Sequence, residues 1–494
     1  MAGADEANTG RKLCLDALVT AIQHTVGRGR GWFSSAKTLQ LVCLDVCRVC
    51  RGNATWHVNV TVATPTRLWV RGELEGRGDE TLGEPNIPLL PVRTITFGYC
   101  PSDVLSRLSQ TDRLGAEEEE VEAGGRGCPY RRGRLRWPDT VRRLTIALDC
   151  AELLENFHWP PSLRELTFGS KFNQSVVGVK WPLSLQQLTF GRRYKQPIVG
   201  VEWPASLQQL TFGGNFDQPI VKVVWPASLR QLTFGERFNR PIIGVEWPPS
   251  LEHLSFGERF NQLIVGVKWP ESLQQLKFGL DFNHPIVGVV WPLSLQHLSF
   301  GGKFEQPIVG VVWPAPLQQV TFGWDFNQPI VGVDWPILVQ QVTFANSFNQ
   351  PIIEVVWPAS LQQLTFGRNF NRPIVGVTWP ALLKRLSFGN WFNKPIVEVK
   401  WPASLQQLTF GHWFNKPIVG VEWPASLERL TFGDCFNKPI DGVEWPPSLQ
   451  ELVFGRNFKQ SIVDIVWPAS LQLSIGIVPP LPETGDTVRC RWCS

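Results

Sequence analysis

The sequence predicts a mostly β solenoid of 22-residue turns with short parallel strands, preceded by a small α+β region. Three observations carry this reading. Trp-Pro recurs sixteen times at an interval of 22 residues, from Trp137-Pro138 to Trp467-Pro468, without an insertion or deletion. Each unit stays close to W-P-A-S-L-Q-Q-L-T-F-G-x-x-F-N-Q-P-I-V-G-V-x. Prolines at positions 2 and 17, counted from the tryptophan, leave too few uninterrupted residues for a helix. A unit of this size cannot bury its own apolar side, so it must stack on its neighbours.

Within a unit, position 8 is Leu or Val (Leu166, Val320, Leu408) and position 10 is Phe in all fourteen complete units, from Phe168 to Phe454. With a polar residue between them, both point inward on a short strand and position 9 points out. Position 11 is Gly in thirteen of fourteen units, Ala345 being the exception, which implies a positive φ or a tight backbone contact. Position 14 is Phe thirteen times and Tyr194 once. Position 15 is Asn ten times, with Lys195, Asp217, Glu305 and Lys459 as substitutes; an inward asparagine column would bond the backbone of the adjacent turn. Position 20 is usually Gly, but Lys222, Glu354, Glu398 and Asp464 suggest a solvent-facing site with no special backbone angle. The β-branched run I-V-G-V-x-W reads as a second extended segment. At a strand spacing of about 4.8 Å, fifteen such turns would make a rod or shallow arc roughly 70 Å long.

The ends of the array differ. The unit from Trp137 to His158 has Ile146 in place of Phe and Cys150-Ala151 in place of Phe-Asn, and the last unit loses a residue in Leu471-Gln472-Leu473. Both read as caps. The divisions are residues 1–10, a disordered start; 11–87, a small helical and strand region; 88–136, a degenerate repeat fragment (Pro91 to Gly98) and a charged loop; 137–476, the solenoid; and 477–494, a tail. Residues 11–28 and 35–51 have helical spacing, with Leu39, Val42, Cys43, Val46 and Cys50 on one face and Gly52 as a stop. Thr55 to Val62 alternates like a strand. The arginines between Arg131 and Arg143 are offset by Glu117–Glu120, so they do not read as a nucleic-acid patch.

Composition bounds function. Hydrophobic residues at 43% and charged residues at 18% suit a folded, soluble chain, and a net charge of +4 supplies no broad field for nucleic acid or an anionic membrane. No signal-like or membrane-spanning run is apparent, so ten cysteines read as reduced thiols of a cytoplasmic protein. Leu481-Pro482-Glu483-Thr484-Gly485 lacks the apolar segment and basic tail that a sortase signal requires. A prenylation box fails because Arg491 stands where Cys is needed.

The spacing L-x-x-L-x-F resembles the strand of a leucine-rich repeat. Together with Phe326-Asn327-Gln328-Pro329-Ile330 and Phe348-Asn349-Gln350-Pro351-Ile352, it resembles the FNIP repeat, a leucine-rich-repeat relative, over about residues 137–476. The resemblance implies an interaction module. Some members carry an F-box ahead of the repeats, so the alternative is a substrate adaptor of a ubiquitin ligase, with residues 11–51 as a divergent F-box lacking the usual Leu-Pro opening.

Candidate chemistry is sparse. Cys43, Cys47 and Cys50 have a cluster-binding spacing, but lie on the apolar helical face and read as buried thiols. Cys490 and Cys493 form a C-x2-C in the tail, without a second pair placed to complete a zinc site. The histidines do not cluster, and His253 and His297 are two turns apart. The threonines of position 9 read as a solvated strand face rather than an ice-binding ladder. No cofactor, metal or catalytic grouping is expected. The strongest asymmetry is at position 16, usually Gln, which becomes Arg372, Lys394, Lys416 and Lys438 in four successive turns. Trp391 and Trp413 occupy position 13 of the middle two, beside His412. Stacked like charges favour an acidic protein partner, and exposed Trp beside basic residues suits an interface. The sequence is silent on oligomeric state.

Overall fold

The structure, a computed structural model, describes the backbone of three strands, β1 (Thr38–Gln40), β2 (Val58–Val62) and β3 (Val92–Phe97), and then residues 141–146 and 159–476. The chain divides into two compact units, Met1–Thr96 and Phe97–Ser494. In the first, β1 and β2 pair antiparallel, with Leu39 opposite Val60. Strand β2 lies in the stretch expected to be extended. Strand β1 corrects the helix expected over 35–51 at those three residues, because the ladder to β2 outweighs a helical spacing pattern. The remaining residues of 11–51, the proposed F-box, Cys43, Cys47, Cys50, Cys490 and Cys493 lie outside the described residues. Strand β3 covers the fragment read as a stray strand-and-glycine piece.

The second unit contains a parallel sheet whose strands come one per repeat. It begins with β4 (Arg143–Ile146) and β5 (Glu165–Phe168) and ends with β18 (Glu451–Phe454) and β19 (Gln472–Ile475). Each strand pairs with the next at an offset of one unit, as Leu276 with Leu298 and Leu386 with Leu408. The exception is the last step, where Leu452 faces Leu473. The residue missing from Leu471–Leu473 thus shortens the turn and leaves the register intact. No helix occurs among the described residues.

Burial follows the repeat. Positions 5, 8, 10, 14 and 18 form continuous internal files, with Leu207, Leu210, Phe216 and Ile220 all at 0% exposure. The two phenylalanines of a turn stack on each other, Phe212 on Phe216 at 4.1 Å between centroids, and each stacks on its equivalent one turn away. The tryptophans make a third file, in which the rings of Trp379 and Trp401 stack 6.3 Å apart. Their edges meet the phenylalanine of position 10, as Trp379 meets Phe388. From Trp181 to Trp445 the indole N–H has no hydrogen-bond acceptor.

Two glycine columns have different causes. At position 11 the backbone of one turn touches the next: a Cβ on Gly323 would overlap the carbonyl oxygen of Gly301. The φ angle there is not positive, so contact and not conformation selects glycine. Ala345 shows the consequence. Its neighbours keep the bond from position 14 to position 11, Phe326 to Gly323 and Phe370 to Gly367 at 3.3 Å, whereas Phe348 makes none to Ala345. At position 20 the expectation is overturned. Glycines there have φ near +80°, and Lys222, Glu398 and Asp464 adopt 73°, 74° and 65°. The position is exposed, yet in every described repeat but that of Glu354 it adopts the left-handed region.

The same residues correct the second extended segment. Positions 18 to 21 make a reverse turn, closed by bonds such as Val223 N–H to the Ile220 carbonyl at 3.2 Å. Isoleucine and valine stand at 18 and 21 because both are buried, not because they form a strand.

Candidate functional site

The corner that leaves each strand is formed by positions 12 to 16. Position 14 points into the core, which leaves 12, 13, 15 and 16 at the surface. Position 15 asparagines are half-buried at this edge, or exposed at Asn239 and Asn327, rather than inward. Their Oδ1 accepts the backbone N–H of position 15 in the next turn, as Asn327 does from Asn349 at 2.9 Å. Position 16 adds a second tie. Gln350 Nε2 donates to the Asn327 carbonyl at 2.8 Å, and Gln196, Gln218, Gln262, Gln306 and Gln460 do the same to the turn before them. Arg240 and Arg372 make this bond through Nε.

Lys394, Lys416 and Lys438 do not make it. An ammonium on a four-carbon stem has replaced a carboxamide of the right reach. The carbonyls of Asn371, Asn393 and Asn415 therefore lack the cross-turn donor that most of their equivalents have, Glu305 beside Gln328 being another without it, while the Asn ladder beside them continues unbroken. The register places Arg372, Lys394, Lys416 and Lys438 one above another at one-turn intervals. None of the four forms an ion pair with a described residue. Each bond given up removes about 0.5–1.5 kcal/mol, and the like charges add repulsion.

Beside this row, Trp391 and Trp413 stack with centroids 5.9 Å apart and an interplanar angle of 26°. Their side chains are 48% and 47% exposed, whereas the tryptophans of the Trp-Pro file are largely buried. His412 packs edge-on against Trp413 at 5.0 Å, and its Nδ1 lies 3.3 Å from Asp434 Oδ2. Sequence reading had grouped all seven residues, and the stack does bring them onto one corner. It had missed two neighbours. Asp434 orients His412, and Cys435, a free thiol, continues the Trp391–Trp413 column at position 13. Burial pushes the Cys435 thiol pKa up, Asp434 adds to the rise, and a hydrogen bond with Asn457 opposes it. Only the register, which sets position 13 of successive turns in line, would have revealed them.

The strand face is largely a ladder of Gln and Thr, broken by residues such as His253, Lys277, His297, Arg385 and Arg429. Among the described residues, no hydrogen bond joins a serine or threonine of this face to a histidine or lysine. No grouping of metal-ligating side chains occurs among the described residues. No helix among them is long and apolar enough to cross a membrane.

The FNIP Repeat family model matches residues 196–237, 238–281, 267–303, 326–369, 348–390 and 436–473. The chain carries FNIP repeats over these residues. Its solenoid is leucine-rich-repeat-like, as the comparison with solved structures also shows. The FNIP-repeat chain is similar to CroV588, described as a novel circular LRR protein, with 35% identity and a TM-score of 0.52 over 69% of this chain and 60% of that one. It thus spans less than two thirds of that protein's length. Weaker likenesses are to an internalin (inlF) from Listeria monocytogenes, at 14% identity and a TM-score of 0.40 over 56% of this chain and 82% of that one, and to a leucine-rich repeat protein from Bacteroides ovatus, at 13% and 0.21 over 68% and 78%. No curated protein matches the FNIP-repeat chain.

Proposed function

We propose that this FNIP-repeat chain is a non-catalytic scaffold that binds an acidic protein partner at the corner formed by Arg372, Lys394, Lys416, Lys438, Trp391, Trp413 and His412. One observation carries the reading. Where six turns tie position 16 to the previous turn through a glutamine, three consecutive turns carry lysines that form no such tie. Departures from a local rule without a structural gain concentrate at functional sites. Carboxylates laid along the row would neutralise it, and the stacked indoles supply a rigid apolar anchor alongside. The free thiol of Cys435 suits a reducing compartment such as the cytoplasm.

The test uses full-length protein and a fluorescein-labelled oligoglutamate peptide, followed by fluorescence anisotropy. Wild type should bind with an affinity that falls as salt rises. Lys394→Glu with Lys416→Glu should abolish binding, and so should Lys394→Gln with Lys416→Gln and Lys438→Gln, which restores the glutamine tie and keeps the fold. Unchanged binding in either variant overturns the proposal.

A further inference from the structure

We propose that a second face, formed by Val290, Leu293, Val312, Ile337, Leu338 and Val356, docks an aliphatic protein segment that carries a cation. These side chains occupy positions 22, 3 and 4, on either side of the Trp-Pro file and away from the basic corner. Val290, Leu293, Val312, Ile337 and Val356 are each between 76% and 83% exposed. In the flanking turns position 22 holds Lys180, Glu202, Glu246 and Lys268 on one side and Lys400, Glu422 and Glu444 on the other, with Val224, Thr378 and Val466 as exceptions. The column therefore accommodates charge readily, and aliphatics gather in the middle of the array. Contiguous exposed apolar surface of this kind marks association sites.

A second departure coincides with it. Position 4 is ordinarily Ser, whose Oγ donates to the carbonyl of position 5 in the preceding turn, as Ser294 does to Leu273 and Ser360 to Val339, at 2.8 Å and 2.7 Å. Pro316, Leu338 and Leu382 replace that serine in and beside the face and give up the bond. These turns exchange a stabilising tie for apolar surface, just as the lysine turns exchange one for charge.

Charge identifies the occupant. In positions 17 to 22 and 1 to 4 between Glu271 and Glu398, the charged residues are Asp334 and Glu354, both acidic. Asp334 stands in the column between Val312 and Val356, and neither carboxylate forms an ion pair with a described residue. A segment whose aliphatic side chains cover the valines and whose Lys or Arg reaches Asp334 satisfies both features. A second copy related by a two-fold axis through the face would set these carboxylates against themselves. An anionic lipid surface would be repelled.

The test uses the full chain bearing Lys394→Gln, Lys416→Gln and Lys438→Gln, so that the basic corner does not compete for acidic peptides. The probes are two labelled amphipathic peptides, leucine–lysine and leucine–glutamate, matched in length. The leucine–lysine peptide should bind about tenfold more tightly or better, a ratio worth ~1.4 kcal/mol. Asp334→Lys should reverse that preference, and Ile337→Asn with Val356→Asn should remove binding of both; thermal melts check that these exposed substitutions leave the fold intact. Equal affinity for both peptides, or affinity unaltered by the variants, overturns the proposal. So does a dimer, seen by light scattering, that Ile337→Asn with Val356→Asn dissolves, or binding to phosphatidylserine vesicles that the same variant removes.

Discussion

The side-chain oxygen of Asn393 accepts the backbone N–H of Asn415, one turn farther along the stack, at 3.0 Å. The same bond runs without a break from Asn327 to Lys459. It stops at Lys195, whose ammonium cannot accept, and at Glu305, whose longer carboxylate makes no such bond to the next turn. Asn393→Leu should therefore destabilise the solenoid by about 1–3 kcal/mol, the cost of a stranded N–H. Asn393→Asp should be much milder, because Asp217 holds the Asn239 N–H at 3.0 Å. Urea unfolding of the two variants measures the difference.

The lysine turns should be stabilised by reverting them to the consensus. Lys394→Gln, Lys416→Gln and Lys438→Gln each restore a cross-turn bond of about 0.5–1.5 kcal/mol and relieve repulsion. The triple variant should unfold at a higher temperature than wild type, with the gain shrinking in high salt as screening removes the repulsive part. A lower melting temperature would mean that the lysines support the stack in some other way.

Left-handed residues at position 20 give a sharper comparison. Lys222 and Glu398 hold φ at 73° and 74°, a region that disfavours a Cβ by about 1–2 kcal/mol. Lys222→Gly and Glu398→Gly should each stabilise by about 1 kcal/mol once the extra freedom of glycine in the unfolded chain is deducted. Glu354 is at the same position without a positive φ, so Glu354→Gly should give no gain. Thermal melts of the three variants, read together, check the assignment.

How legible was this molecule before its fold was known? The buried files were, because Leu at position 8 and Phe at position 10 alternate with polar residues, and the stacking of the four cations followed from the period alone. Position 20 was misread because Lys222, Glu398 and Asp464 look like freedom when they are tolerated strain. The run Ile-Val-Gly-Val was misread because buried and extended segments favour the same β-branched residues. The face around Ile337 was invisible for another reason: Val290, Leu293, Val312 and Val356 are spread over several turns of the chain, and only the turn geometry shows which valines of a unit face out.

Tyr194 is the odd member of the phenylalanine file. It stacks between Phe172 and Phe216 with its hydroxyl buried and without a partner. Tyr194→Phe should stabilise by about 1–3 kcal/mol, the penalty of an unsatisfied buried hydroxyl. Burial also pushes its ionisation well above the ordinary 10.0. A folded-state pKa raised in this way leaves stability intact below the unfolded value and erodes it as pH climbs beyond about 10. Wild type should thus lose stability in alkali faster than Tyr194→Phe, as pH-dependent unfolding curves would show.

The overlap that a methyl group on Gly323 would make with Gly301 restricts how such a chain can change in evolution. Each layer nests on the one below with no room at that point, so slipping the sequence by a residue would drive a side chain into a peptide oxygen. Within the interior, length can then change only by gain or loss of whole modules, as unequal recombination between near-identical stretches of coding sequence would produce. Surfaces such as the lysine row and the valine face are free to diversify without disturbing the joint between layers.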